Sequence, residues 1–505
     1  MKDKYEYRNV FTNYLPLAIN HDSIGRALDV AGERGASYPI LAIVTGTKPD
    51  FYKQAPLVVE AMKCRIPSFV IDTGQHFDDT LGYGMQEFNI QESVACNLQV
   101  RGNLMEKASE LLLKFAIFGK IFKEKFPGHT LLPVVHGDTL VAGITPLSWL
   151  FGLGQKVAQN EAGLRSMSPK FVRNLSQSEP DRIQVDNFVS SQFDRKSWFV
   201  ARDEPFPEQV DTWICSAGTQ FFFAPTLLNQ ENLIREGYPE ELIYVVGNSV
   251  VDAIEMKRRS KPQSSIFNLY PELASELPPT QPSSGGSTTT TTTARKEWIR
   301  VDIHRRENLT PSRFSVIVKS LIELVKAGYR VVLIKLTATQ HALDKYGLTD
   351  TLDTLQREYP RSFVQTPLWK EYGHVIEFLD SGRCWLELTD SGSMQEELLY
   401  FPGVNSVTVR LNTDRPETIF EAQGNVLAPP VNPKWIVEIV RLVDNDKIPL
   451  YSNNRKKKIY GEPGQVSPKV MNIVKKHFDE NYNFYPWLHN RLGLWKEQDP
   501  DFTYL

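Results

Sequence analysis

Short apolar runs alternate with longer segments of helical spacing along most of this chain. Residues 38–44 form the first run, and a helix pattern follows at 51–63. A second run occupies 68–71, leucine, phenylalanine and isoleucine recur at helical spacing through 106–125, and a third run at 131–135 leads into a helix pattern at 139–153. Apolar runs of strand length that alternate with helices predict a parallel sheet covered by helices on both faces. The alternation resumes at 221–224 and 242–246, and a second series begins at Trp298. That series reads as strand 300–303, helix 313–327, strand 329–336, helix 375–379, strand 384–388, a helix from Gly392 and strand 406–409.

Three stretches break the rhythm. Residues 1–37 show no clear period and read as an N-terminal extension. Residues 166–204 are polar and irregular with aromatic patches, and read as an insertion. Residues 259–296 contain a Pro/Ser/Gly-rich segment followed by six consecutive threonines, Thr288 to Thr293. Such composition buries no core, so a disordered low-complexity loop is expected there. The fold class is therefore α/β: two Rossmann-like doubly wound domains facing across a cleft. The first is expected at 38–258 and the second at 297–450, with a helical tail at 451–505 packing back on the first.

Composition narrows the class. A length of 505 residues exceeds what one core usually serves. The 57 basic and 60 acidic residues nearly cancel, which gives no nucleic-acid footprint. Four cysteines are scattered without metal-ligand spacing, so neither a metal site nor a disulfide framework is expected. No apolar run approaches a membrane span, and the first residues are too polar for a secretory signal. A cytoplasmic protein without membrane or nucleic-acid partners is the expectation.

The chemistry-bearing residues cluster where strands end, and in an open parallel sheet ligands bind at the carboxyl ends of the strands. Gly46-Thr47-Lys48-Pro49-Asp50, with Lys53 one turn on, opens the first helix, where free N–H groups and the helix dipole favour an anion. Thr73-Gly74-Gln75-His76 ends the second strand and suits a cleft wall. Asp138, in Val135-His136-Gly137-Asp138-Thr139, and Glu161, in Glu161-Ala162-Gly163-Leu164-Arg165, bring two carboxylates to adjacent strand ends. Carboxylates so placed suit proton abstraction and stabilisation of positive charge. Asp138 alone also fits a helix N-cap. Glu208 is a third carboxylate candidate. In the second series, His304-Arg305-Arg306-Glu307-Asn308 suits a diphosphate. Ser391-Gly392-Ser393 lets a phosphate approach the backbone, Glu397 is placed for ribose hydroxyls, and Arg415 shapes the same rim.

In this order, these segments resemble the UDP-N-acetylglucosamine 2-epimerase family over about residues 38–445. The resemblance rests on the joint occurrence of Gly-Thr-Lys-Pro-Asp, Gly-Gln-His, His-Gly-Asp-Thr, Glu-Ala-Gly-Leu-Arg, Pro-Glu, Gly-Asn-Ser-Val-Val-Asp, His-Arg-Arg-Glu-Asn, Asp-Ser-Gly-x-x-Gln-Glu-Glu and Arg-Pro-Glu. It implies a glycosyltransferase-B-type fold, a UDP-sugar substrate, no cofactor and a homodimer. It also implies elimination of UDP to a glycal followed by re-addition. By motif, Asp138, Glu161, Glu208 and His304 take the catalytic positions. Lys48, Lys53, Gln75, His76, Arg165, Arg305, Ser391, Gly392, Ser393, Glu397 and Arg415 take substrate-binding ones. A hydrolysing relative, a glycosyltransferase and a silent nucleotide-sugar-binding protein are the alternatives. The chain departs from the family pattern at Lys48, where arginine is usual, at Gln159-Asn160, where His-Val is usual, and at Gln209-Val210-Asp211-Thr212, where Asn-Arg is usual.

Overall fold

A computed structural model describes residues 17–35, 37–74, 85–202, 204–274, 297–448 and 457–480. The chain divides into two compact units. One comprises Met1–Ser166, Ala201–Met256 and Ile459–Leu505, the other Met167–Val200 and Lys257–Lys458.

The first unit holds an eight-stranded sheet. In spatial order its strands are Ala18–Ile19, Val94–Asn97, Ser68–Asp72, Ile40–Thr45, Leu131–His136, Val157–Asn160, Thr219–Ala224 and Ile243–Val245. All pair in parallel except the first, which runs antiparallel to its neighbour. Every residue of Ile40–Thr45 and Leu131–His136 is buried, which explains their apolar runs up to the polar last residues Thr45 and His136. The chain winds outward from Ile40–Thr45 in one direction, then returns to start again at Leu131–His136 on its other side. The gap between these two strands is therefore the topological switch point, where an open α/β sheet binds its ligand.

The second unit repeats the plan. Its six strands run in the order Phe363–Pro367, Arg330–Lys335, Trp298–Asp302, Cys384–Thr389, Asn405–Thr408 and Val426–Leu427, all parallel. In chain order this is 3-2-1-4-5-6, the dinucleotide-fold order, with its switch point between Trp298–Asp302 and Cys384–Thr389.

Three boundaries differ from the sequence reading. The peripheral extension expected at 1–37 contributes, within its described part, the edge strand Ala18–Ile19 and the amphipathic helix His21–Arg34, capped by Asn20. Residues 167–200 belong to the second unit. Their helix Arg182–Gln192 buries Val185, Phe188 and Val189 in that unit's core, with Phe188 5.4 Å from Trp435 ring to ring. The Gln192 side chain completes the edge strand: Leu427 N donates to its Oε1 at 2.7 Å and its Nε2 donates to Leu427 O at 3.1 Å. Of the loop expected at 259–296, residues up to 274 are ordered, with the short helix Ile266–Leu269 buried through Ile266. Residues 275–296, including the threonine run, lie outside the described residues.

The tail helix Val466–Asp479 packs against the helix Lys48–Lys63. Its entry is fixed by Asp252, whose carboxylate accepts from Gly464 N at 2.6 Å and Ser467 N at 2.6 Å. Asp252→Ala removes the acceptor of both N–H groups, of which that of Ser467 is buried. It should destabilise this docking by about 2–3 kcal/mol, read as a lower urea midpoint and faster amide exchange in Val466–Asp479; unchanged exchange there would count against the assignment.

Candidate active site

The helix Lys48–Lys63 starts at Thr47, with Asp50 Oδ2 accepting from Thr47 N at 2.9 Å. This box turns the other Asp50 oxygen toward the neighbouring strand, where His136 Nδ1 lies 2.9 Å from Oδ1. The opposite ring nitrogen, Nε2, lies 2.9 Å from Glu161 Oε2. The other Glu161 oxygen accepts from Lys53 Nζ at 2.5 Å and from Asn248 Nδ2 at 2.6 Å. Two carboxylates and two cationic side chains thus alternate in one chain, all of them buried.

The backbone is shaped for this. Glu161 has φ 63°, in the left-handed region that side chains other than glycine rarely occupy. A β-carbon at Gly137 (φ 65°) would sit 2.9 Å from Glu161 Oε2. Glu161 therefore lies directly beneath the turn that carries Asp138. Strain held against a buried charge network is characteristic of a functional site.

Burial opposes a charged imidazole, but the negative charge of Glu161 and the bonds to Asp50 and Glu161 outweigh it. His136 is pushed up from 6.5 to about 9, with Lys53 pulling the other way. It is an imidazolium at neutral pH, hydrogen-bonded through Nδ1 to Asp50 and ion-paired through Nε2 with Glu161.

The residues that depart from the family pattern have structural work here. Gln159 Nε2 donates to Gly137 O at 2.9 Å, and Asn160 Nδ2 donates to Ser249 Oγ at 3.1 Å. Ser249 in turn donates to Lys53 O. Asn248 and Ser249, from the Gly-Asn-Ser-Val-Val-Asp segment, thus lock Glu161 and Lys53 in place.

Asp138 is half-buried and is not the helix cap. Thr139 takes that role for Leu140–Leu153, its hydroxyl accepting from Ala142 N at 3.3 Å. Glu208 opens the helix Glu208–Ala217, and both it and Asp138 act electrostatically on Asp211, one turn further on. Lys48 stands at the first position of its helix, its ammonium 5.5 Å over the Tyr52 ring. Arg165, expected to touch substrate, has its donors occupied by protein. It binds Glu236, Leu164 O, Thr212 and Ser216, and lies 4.3 Å over the Trp213 ring. Its place is that of a positioning residue. Gln75 and His76 lie outside the described residues.

In the second unit, fully buried Asp390 organises the loop after Trp298–Asp302. It accepts from His304 N at 3.0 Å, Arg305 N at 3.0 Å and Asn308 Nδ2 at 3.0 Å, and lies 3.3 Å from His304 Nδ1. The His304 side chain remains about one-third exposed. Ser391 caps the helix Gly392–Glu397, accepting from Met394 N at 3.4 Å. A β-carbon at Gly392 would meet Asp414 at 3.1 Å and Arg305 at 3.3 Å. Asp414 gathers three guanidinium groups: Arg410 at 2.8 Å, Arg415 at 3.0 Å and Arg305 at 3.6 Å. Arg415 is buried and also paired with Glu396, so it braces the rim. Arg305, the most exposed of the three, is the one suited to an incoming anion. Glu397 accepts from Tyr372 Oη at 2.8 Å and Ser393 Oγ at 2.7 Å. Lys53 and Glu161 thus meet Asp50 and His136 at the switch point of the first unit, and His304, Arg305 and Gly392 come together at that of the second.

Residues 200–475 match the family model described as UDP-N-acetylglucosamine 2-epimerase. The chain belongs to the UDP-N-acetylglucosamine 2-epimerase family. It is 25% identical to a UDP-N-acetylglucosamine 2-epimerase of Methanocaldococcus jannaschii, over 81% of this chain and 93% of that relative. It is 27% identical to one of Salmonella typhimurium, over 86% and 98%. Among solved structures, it resembles the Methanocaldococcus jannaschii UDP-GlcNAc 2-epimerase in complex with UDP-GlcNAc and UDP, with TM-score 0.63 and 24% identity over 86% of this chain and 99% of that one. It also resembles the Neisseria meningitidis UDP-GlcNAc 2-epimerase bound to UDP-GlcNAc, with TM-score 0.64 and 21% identity over 87% and 100%. These likenesses give its fold class as the glycosyltransferase-B type. No helix among the described residues is long and apolar enough to cross a membrane.

Two outcomes test the buried network. Lys53→Met leaves Glu161 without one of its cations and should cost about 3–5 kcal/mol in the first unit, measured by urea unfolding; a loss below about 1 kcal/mol would contradict the pairing. The folded-state value of His136 lies above its unfolded one, so its stabilisation is complete below about pH 6.5 and disappears as pH rises through about 9. The wild-type urea midpoint should fall across that window and His136→Gln should flatten the slope; parallel slopes would exclude a charged His136.

Proposed function

We propose that this protein is a non-hydrolysing UDP-GlcNAc 2-epimerase, interconverting UDP-GlcNAc and UDP-ManNAc. The observation that carries this reading is the pinned Glu161, held in left-handed backbone by Lys53, His136 and Asn248 beneath the turn that presents Asp138. Such a fixed charge array suits a reaction in which positive charge develops on a sugar ring.

In this reading the C1–O bond breaks and UDP departs with the bonding electrons. As oxocarbenium character develops, the C2 proton passes to a carboxylate and a C1=C2 glycal forms. A proton then returns to the opposite face of C2, and a UDP oxygen re-forms the bond to C1. Asp138 and Glu208 are assigned the proton exchange because both are half-buried carboxylates, and Glu161 stabilises the ring cation from below. His304 and Arg305 take up the charge growing on the diphosphate. The Ser391 turn cradles phosphate, and Glu397, already oriented by Tyr372 and Ser393, meets the ribose. Lys48 and Lys53 add positive charge at the first helix terminus.

Incubation with UDP-GlcNAc in heavy water should yield UDP-ManNAc carrying deuterium at C2, followed by proton NMR. Asp138→Asn and Glu208→Gln should each lower kcat by about 10²–10⁴-fold. Free ManNAc with UDP as the products would convert the reading to a hydrolase, and intact UDP-GlcNAc without deuterium would overturn it.

A further inference from the structure

Asp211 occupies a position that neither the sequence motifs nor the reaction above uses. It lies in the first turn of Glu208–Ala217, three residues after Glu208, and is 3% exposed. Its backbone N–H donates to Pro207 O at 3.0 Å, but its carboxyl Oδ2 is buried with no hydrogen-bond partner among the described residues. The helix Leu140–Leu153 packs against it, and that contact has been shaped. A β-carbon at Gly143 would fall 2.6 Å from Asp211 Oδ1 and 3.0 Å from its Cα, so only glycine there leaves room. An ionised carboxylate in such a place, with no donor to receive it, is among the costliest groups a protein can bury.

The charged groups that act on Asp211 are both acidic: Glu208 on its own helix and Asp138 on the turn before the facing helix. The Arg165 guanidinium reaches the same helix but is bonded to Thr212 and Ser216 and paired with Glu236. The facing helix, Leu-Val-Ala-Gly-Ile-Thr-Pro-Leu-Ser-Trp-Leu-Phe-Gly-Leu, carries no charged residue. Carboxyl groups crowded in this way do not all ionise together, and the most deeply buried member keeps its proton.

We propose that Asp211 is a positioning residue of the epimerase site: its carboxyl is the neutral member of a three-carboxyl group, leaving Asp138 and Glu208 as the pair that exchanges the C2 proton. The inference rests on the function assigned above and deepens it. Burial first, then the charges of Glu208 and Asp138, push Asp211 up from 3.8 to about 8. Below that value Asp211 is the neutral acid of the group. Above it, a further negative charge enters beside Asp138 and Glu208, and the proton exchange assigned to them is disturbed.

The test compares kcat/KM for UDP-GlcNAc from pH 6 to 10 in the wild type, Asp211→Asn and Asp211→Leu. Asparagine mimics the neutral acid and cannot ionise. Its alkaline limb should lie about one pH unit or more above that of the wild type. Leucine, matched in bulk but unable to donate, should lower kcat about tenfold or more, with a smaller change in KM. Superimposed alkaline limbs in wild type and Asp211→Asn would overturn the proposal. In parallel, infrared spectra of the substrate-free proteins at pH 7 should contain a protonated-carboxyl band that Asp211→Asn lacks. Its absence from the wild type overturns the proposal whatever the activity. A band that is present in a protein without UDP-GlcNAc turnover supports the neutral Asp211 and overturns the epimerase assignment instead.

Discussion

The first unit is organised around the buried carboxylate of Glu161. A lone carboxylate at that depth would be strongly unfavourable, so its surroundings must supply both charge and hydrogen bonds. Lys53 and His136 supply the charge, and Asn248 supplies a further donor. Each comes from a different strand–helix connection, so the carboxylate draws three separately folded segments to one point. That convergence holds Glu161 directly beneath the turn that bears Asp138.

The second unit solves a related problem by the same means with different groups. Asp390 gathers the backbone of the His304–Asn308 loop, and Asp414 gathers three arginines. In both units a buried acid holds donors in place beside more exposed polar groups. The internal acids, Glu161, Asp390 and Asp414, differ in this from Asp138, Glu208 and His304, which retain access to solvent.

Much of this was legible in the chain itself. The apolar runs marked the central strands because strands covered on both faces are apolar throughout, and the chemistry stood at strand ends because the topology puts ligands there. The misreadings have physical causes. Residues 17–34 gave no signal because the edge strand is two residues long and the mean character of the helix is polar. Residues 167–200 were assigned to the wrong unit because linear order carries no record of which core a segment joins. Arg165 and Arg415 looked like substrate contacts because a motif names a residue without saying that Glu236 or Glu396 already holds it. His136 went unassigned because it ends an apolar strand, and its partner Asp50 was read only as part of the loop that opens the first helix. Asp211 was visible only as a departure from the family pattern, since the glycine that makes room for it lies 68 positions earlier in the sequence.

The amide of Gln192 against Leu427 has a consequence for how this protein can be divided. An unprotected sheet margin invites pairing with other chains, and here the guard comes from a segment synthesised more than two hundred residues before the strand it shields. Excising 257–458 as a contiguous fragment would strip away that guard together with the aromatic side chains beside it. The two units are separate in architecture yet interleaved in covalent order, so neither can be obtained intact by a single cut.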